Sequence, residues 1–174
     1  IIVHERIYLY YSAVSPTCNR SVCLAVSEDG IHFEKYRHNP VLIGGAPEVV
    51  YRNDLFHLFY WQPRLDHAGF DLHLATSADG YHYLPVPDNP VLPAGPPGFW
   101  DSHPVETPRI FREGNLFYMM YCGSSQHDDY PDAAGLAVSR DLHHWEKYAG
   151  NPIFCRGEPG DWDDGAIWFT TVEK

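Results

Sequence analysis

Glu48 and Glu106 are the side chains of this chain whose type and setting best suit catalysis. Each stands at the start of a strand-like run, Pro47-Glu48-Val49-Val50-Tyr51-Arg52 and Glu106-Thr107-Pro108-Arg109-Ile110-Phe111-Arg112. Two carboxylates converging on a partly buried site suit general acid–base work. Repulsion and burial raise one pKa while the other group stays ionised. The plainer reading has each carboxylate cap a turn or pair with an arginine, Glu106 with Arg109 for example.

A second set involves aromatic residues. Gly98-Phe99-Trp100-Asp101-Ser102-His103 returns, 62 residues later, as Gly160-Asp161-Trp162-Asp163-Asp164-Gly165. An indole face beside a carboxylate suits a sugar: the ring stacks on C–H faces and the carboxylate accepts hydroxyl hydrogens. Trp100, Trp162, Arg109 and Asp163 are therefore candidate substrate-binding residues, and Asp101 and Asp164 candidate further carboxylates for catalysis. The competing reading makes the tryptophans structural wedges. His103, with Glu106, Asp101, Asp163 and Asp164, offers nitrogen and oxygen ligands for a divalent cation such as calcium or zinc. No tightly spaced histidine pair reinforces that reading. His32, His82 and His144 recur at equivalent turn positions and read as structural, and His57 and His73 as ordinary strand residues. His127 to Asp132 reads as a solvated loop between strands, with reach to the channel mouth as the alternative.

The elements that must position these groups follow from a repeat. Ser27-Glu28-Asp29-Gly30-Ile31-His32-Phe33 leads to Asn39-Pro40, Ser77-Ala78-Asp79-Gly80-Tyr81-His82-Tyr83 to Asn89-Pro90, and Ser139-Arg140-Asp141-Leu142-His143-His144-Trp145 to Asn151-Pro152. The Asn-Pro steps lie 50 and then 62 residues apart. A period in that range means stacked supersecondary units whose apolar faces are closed by their neighbours. Aromatic runs precede each turn: Ile7 to Tyr11, Leu55 to Trp61 and Leu116 to Tyr121. With Asn53-Asp54 and Glu113-Gly114-Asn115 as tight turns, they form hairpins with the strands before them. Cys23 to Val26, Leu72 to Thr76 and Gly135 to Val138 supply a third strand each, and a short fourth strand follows around Phe33, Tyr83 and Trp145.

Four antiparallel strands per repeat describe a propeller blade. The expectation is an all-β chain, one β-propeller domain over 1–174 with about three four-stranded blades. Blade strands occupy 5–38, 46–88 and 104–149, and a C-terminal strand over 166–172 supplies what the first blade lacks. Rings of three blades are outside the usual range of four to eight. Completion by a larger protein or by a second copy, a six-blade homodimer, is therefore expected.

A hydrophobic fraction of 44% over 174 residues suffices for a core, and the net charge of −11 disfavours nucleic acid and anionic membrane as partners. Among the cysteines, Cys18, Cys23, Cys122 and Cys155 contain no C-x-x-C pair. Cys23 and Cys122 read as small buried residues, a Cys18–Cys23 bridge is the minor alternative, and a reducing, cytoplasmic setting is the simpler expectation. Ile1 to Arg6 does not read as a signal peptide.

The blade pattern, with Ala46-Pro47-Glu48-Val49-Val50-Tyr51, Glu106-Thr107-Pro108-Arg109-Ile110 and the Ser-x-Asp-Gly-x-His-Phe turns, resembles the five-bladed propeller glycosidases. These are the β-xylosidase and α-arabinofuranosidase group of glycoside hydrolase family 43, with its family 32 fructosidase and family 130 mannoside-phosphorylase relatives. The resemblance implies three carboxylates: a base or nucleophile in the first blade, a pKa-tuning acid in the second and a glutamic acid proton donor in the third. Glu48 matches the tuning position and Glu106 the donor. The first-blade Asp has no match, and Asp163 or Asp164 is the nearest candidate. Three functions remain open: a glycoside hydrolase using these carboxylates, a non-catalytic sugar-binding propeller, and a metal-dependent hydrolase of esters or phosphoesters around His103.

Overall fold

The computed structural model describes residues 1–16, 20–65, 68–126, 129–169 and 171. Cys18, His127 and Asp128 lie outside these, and with them the Cys18–Cys23 bridge considered above. The described chain is all-β, folded as three antiparallel sheets. The first blade orders β1 (Ile2–Val3), β2 (Arg6–Ala13), β3 (Ser21–Ser27) and β4 (Glu34–Lys35), with β5 (Leu42–Ile43) also on β3. The second is β6 (Gly45–Arg52), β7 (Leu55–Pro63), β8 (Phe70–Ser77) and β9 (Leu84–Pro85). The third is β10 (Val105–Glu113), β11 (Leu116–Gly123), β12 (Ala133–Ser139) and β13 (Trp145–Lys147), with β14 (Phe154–Cys155) on β12.

Each Ser-x-Asp turn closes on itself. The Ser27 hydroxyl donates to Asp29 Oδ1 and accepts from the Gly30 N–H at 2.9 Å. Asp29 also accepts the N–H groups of Ile31 and His32, and meets His32 Nδ1 at 2.6 Å. Ser77 and Ser139 repeat the pattern with Asp79–His82 and Asp141–His144. These histidines are thus occupied structurally, as their recurrence suggested. Gly30 and Gly80 adopt φ 78°, a left-handed conformation that glycine takes at no steric cost. In the third turn Leu142 holds φ 73° instead, and its side chain is fully buried in the core. That burial offsets the strain of a non-glycine residue there.

The Asn-Pro steps do more than stop the chain. The Asn39 amide accepts the Leu24 N–H at 2.8 Å and donates to the Leu24 carbonyl at 2.8 Å. Asn89 does the same to Leu74 and Asn151 to Leu136. A side-chain amide therefore stands in for a peptide group on the edge of each third strand.

The core lies between blades. Phe56, Leu58 and Tyr60 of β7 enter the cluster shared with Tyr8, Val22 and Leu24, while Phe59 and Trp61 enter the cluster shared with Val105, Met119 and Tyr121. Alternate residues of one strand thus face different neighbours, which is why the β7 run is apolar without a polar face. On the outward side of β2, by contrast, Leu9 remains exposed.

Two strand expectations differ from what forms. The first blade already has a short innermost strand, β1, paired as Ile2 with Ile7 and Val3 with Arg6. The strand expected over 166–172 is not formed over the described residues Ala166–Phe169. This segment lies against the third blade rather than the first. Ile167 donates its N–H to the Pro131 carbonyl at 3.0 Å, and its own carbonyl meets Cys122 Sγ at 3.8 Å. Cys122, like Cys23, is buried.

Candidate active site

The innermost strands of the second and third blades share one irregularity. In β6 the pairing with β7 shifts between Gly45 and Glu48, and in β10 the pairing with β11 shifts between Glu106 and Arg109. Each bulge contains a residue with positive φ before a proline, Ala46 at 47° and Thr107 at 51°. Bulges of this kind re-aim side chains and concentrate beside active sites. Their alignment shows that Glu48 and Glu106 are not equivalent. Gly45 is the counterpart of Glu106, and Arg109 that of Glu48.

The two counterparts meet across the seam. Arg109 Nη1 lies 3.8 Å from Glu48 Oε2, and the Ile110 N–H donates to Glu48 Oε1 at 3.1 Å. Burial pushes the Glu48 carboxyl above its ordinary range, opposed by the Ile110 N–H and the Arg109 charge. The plainer reading of an ion pair therefore applies to Glu48 and Arg109. Arg109 also donates to the Pro108 carbonyl at 2.6 Å.

Glu106 is 4% exposed and opposite Cys122 in the sheet. It lines a cavity of about 420 Å³ with Ser12, Arg20, Ala46, Trp61, Thr107, Asp129 and Trp168. Residues from all three blades meet there, on the side of the bulged innermost strands. Burial, and then the neighbouring Glu106 carboxylate, push the Cys122 thiol up to about 12. Glu48 is not among the lining residues; it reaches to the β10 backbone instead.

The remaining sequence candidates are placed elsewhere. Asp101 is 3% exposed and held by Lys147 Nζ at 2.6 Å and by the Tyr121 hydroxyl at 3.3 Å. Trp100 stacks on Tyr121 with ring centroids 5.6 Å apart. It also covers Gly123 and Gly135, where a Cβ would come within 2.7 Å of its ring. The Trp100–Asp101 pair is thus a wedge that pins the 95–103 insert to the third blade. Trp162 is 95% exposed and does not line the cavity. Asp163 and Asp164 belong to a self-bonded turn, in which Asp164 Oδ2 accepts the Gly160 N–H at 2.7 Å and Arg156 donates to the Asp164 carbonyl. His103 stitches blades through its backbone, accepting from Phe70 N and donating to Ser124 O. No group of three or more His, Cys, Asp or Glu among the described residues is arranged to hold a metal ion, so the calcium or zinc expectation gains no support. Nor is any described helix long and apolar enough to cross a membrane.

Arg20, Trp61, Thr107 and Trp168 are cavity residues that sequence reasoning did not single out, while Asp129 belongs to the loop for which reach to the mouth was the alternative. Trp61 was absorbed into a strand pattern, and Arg20 and Asp129 lie in connections without a motif. Only Thr107, beside Glu106 and before a proline, carried a local signal.

Comparison with known proteins agrees with the architecture. Residues 46–156 match the family model described as β-1,4-mannooligosaccharide phosphorylase, glycoside hydrolase family 130. Among solved structures, a family 117 glycoside hydrolase from the marine bacterium Zobellia galactanivorans is 18% identical with TM-score 0.70, over 89% of this chain and 55% of its own. A thermostable family 43 glycoside hydrolase is 21% identical with TM-score 0.69, over 90% and 55%. The β-1,2-mannobiose phosphorylase of Listeria innocua is 16% identical with TM-score 0.70, over 88% and 43%. No curated protein matches the chain. These likenesses establish the β-propeller fold of the glycosidase superfamily. The chain spans about half the length of the structures it resembles.

Proposed function

The chain belongs to the β-1,4-mannooligosaccharide phosphorylase family, glycoside hydrolase family 130, and we propose that it carries the acid half of a site that cleaves glycosidic bonds in mannooligosaccharides. The observation that carries this reading is Glu106: a buried carboxyl in a cavity lined by three blades, directly before a strained bulge. In its protonated form Glu106 donates its proton to the leaving glycosidic oxygen as the C1–O bond breaks. The nucleophile at C1 is phosphate or water, giving mannose 1-phosphate or mannose with the shortened glycan. Glu48 acts at one remove, through the Arg109 and Ile110 contacts that set the field along β10. Trp168, half exposed in the cavity wall, offers the sugar-stacking face that Trp100 does not.

The test is Glu106→Gln. Loss of a general acid costs about 10²–10⁴-fold in rate. Cleavage of β-1,4-mannobiose, assayed with and without phosphate, falls by that factor while the melting temperature holds. Undiminished cleavage in a folded variant would refute the assignment.

A further inference from the structure

One corner of the same cavity takes a residue from each blade. Arg20 stands just before β3, Trp61 in β7 and Asp129 between β11 and β12. The Arg20 guanidinium carbon lies over the Trp61 ring, 5.6 Å from its centre, within the range of a cation–π contact. Its Nη1 and Nη2 donate to Asp129 Oδ1 and Oδ2 at 2.5 and 2.7 Å. This is the bidentate fork by which arginine recognises carboxylate and phosphate groups.

The two side chains are 42% and 43% exposed, and an ion pair that open adds little to folding. Its chemical effect on the cavity is larger. An arginine alone at this position would draw in anionic ligands, with its fork presented to them. Asp129 fills that fork and cancels its charge, and Glu106 adds a further carboxyl to the same lining. An anionic ligand group reaching this corner finds no free bidentate partner and meets a carboxylate instead. An uncharged glycan loses nothing, because hydroxyls can donate to the outer lone pairs of Asp129.

We propose that Asp129 is a specificity-determining residue that, by occupying the Arg20 fork, admits neutral sugars to this corner of the cavity and turns away uronic acids. The proposal rests on the reading of the cavity as a glycan site. Discrimination of this kind arises by removing the favourable partner of the wrong ligand as much as by serving the right one.

The experiment is a tryptophan-fluorescence titration with two probes of one linkage and ring stereochemistry, β-1,4-mannotriose and β-1,4-trimannuronate. The unmodified chain binds mannotriose and discriminates against trimannuronate. In Asp129→Asn, the preference for mannotriose over trimannuronate falls by up to about fivefold, the scale of one exposed ion pair, because trimannuronate binding tightens. The gain shrinks as salt is raised and disappears when Arg20→Gln is added. Asp129→Ala repeats the measurement should the Asn variant fold poorly. Unchanged trimannuronate affinity in the folded variants, or equal tightening of both probes, would overturn the proposal. Failure of the parent reading looks different: the unmodified chain binds neither probe, yet Asp129→Asn still captures trimannuronate.

Discussion

Lys147 extends from β13 to within 2.6 Å of Asp101, a carboxylate whose side chain is 4% exposed. Removing one partner of a buried pair leaves the other charge uncompensated, at a cost of about 3–5 kcal/mol. Lys147→Met therefore lowers stability by about 3 kcal/mol, read from the urea midpoint, and Lys147→Met with Asp101→Leu recovers much of it. A midpoint unmoved by Lys147→Met would show that the pair does not anchor the insert. Asp101 also shows why residue roles were only partly legible. In the sequence it sits beside Trp100 in a repeated motif, and nothing local reports that its cation lies 46 residues away. The two copies of the motif meet different fates, one half-buried as a wedge at Trp100 and one exposed at Trp162. The setting of Glu106, buried near the start of an innermost strand, was easier to read because its signal is local.

At the scale of elements, the all-β build of four-stranded antiparallel sheets was readable, since turn residues and alternation punctuate the strands. The bulges were not. Ala46-Pro47 and Thr107-Pro108 look like strand beginnings, and only the register shift reveals that one extra residue is accommodated in each. Glu48 follows its bulge and Glu106 precedes its own, so one lies on an inter-strand ion pair and the other in a cavity. The C-terminal run misled for a related reason: Ile167, Trp168 and Phe169 have strand composition, but no described partner strand lies beside them. A non-glycine residue with φ 47° at Ala46 costs about 1 kcal/mol. Ala46→Gly raises the melting temperature by about 2–4 °C. A lower melting temperature would show that the bulge is not strained at this position.

For the whole molecule, β7 ties the two inter-blade clusters into one unit, because its side chains alternate between them. Each blade also depends on one ionised aspartate in its turn. At Asp29 the His32 imidazole, followed by backbone N–H groups, holds the carboxyl well below the ordinary carboxylate range. Burial pulls Asp79 and Asp141 upward but is outweighed by the bonds from His82 and His144 and their neighbours, so these also end low. A carboxyl whose folded pKa lies below its unfolded value of about 4 contributes stability that is complete above that value and lost as pH falls through the folded value. The melting temperature therefore drops steeply below about pH 4, in a single transition seen alike by far- and near-ultraviolet circular dichroism. Constant melting temperature in acid, or separate transitions by the two probes, would contradict this coupling of turns and core.

The claim on which the functional account turns is that Glu106 supplies a proton to a leaving sugar oxygen. A substrate whose leaving group needs no protonation isolates that role: Glu106→Gln should retain most of its turnover of 2,4-dinitrophenyl β-mannoside while losing about 10²-fold or more on β-1,4-mannobiose. Equal losses on both substrates would contradict it.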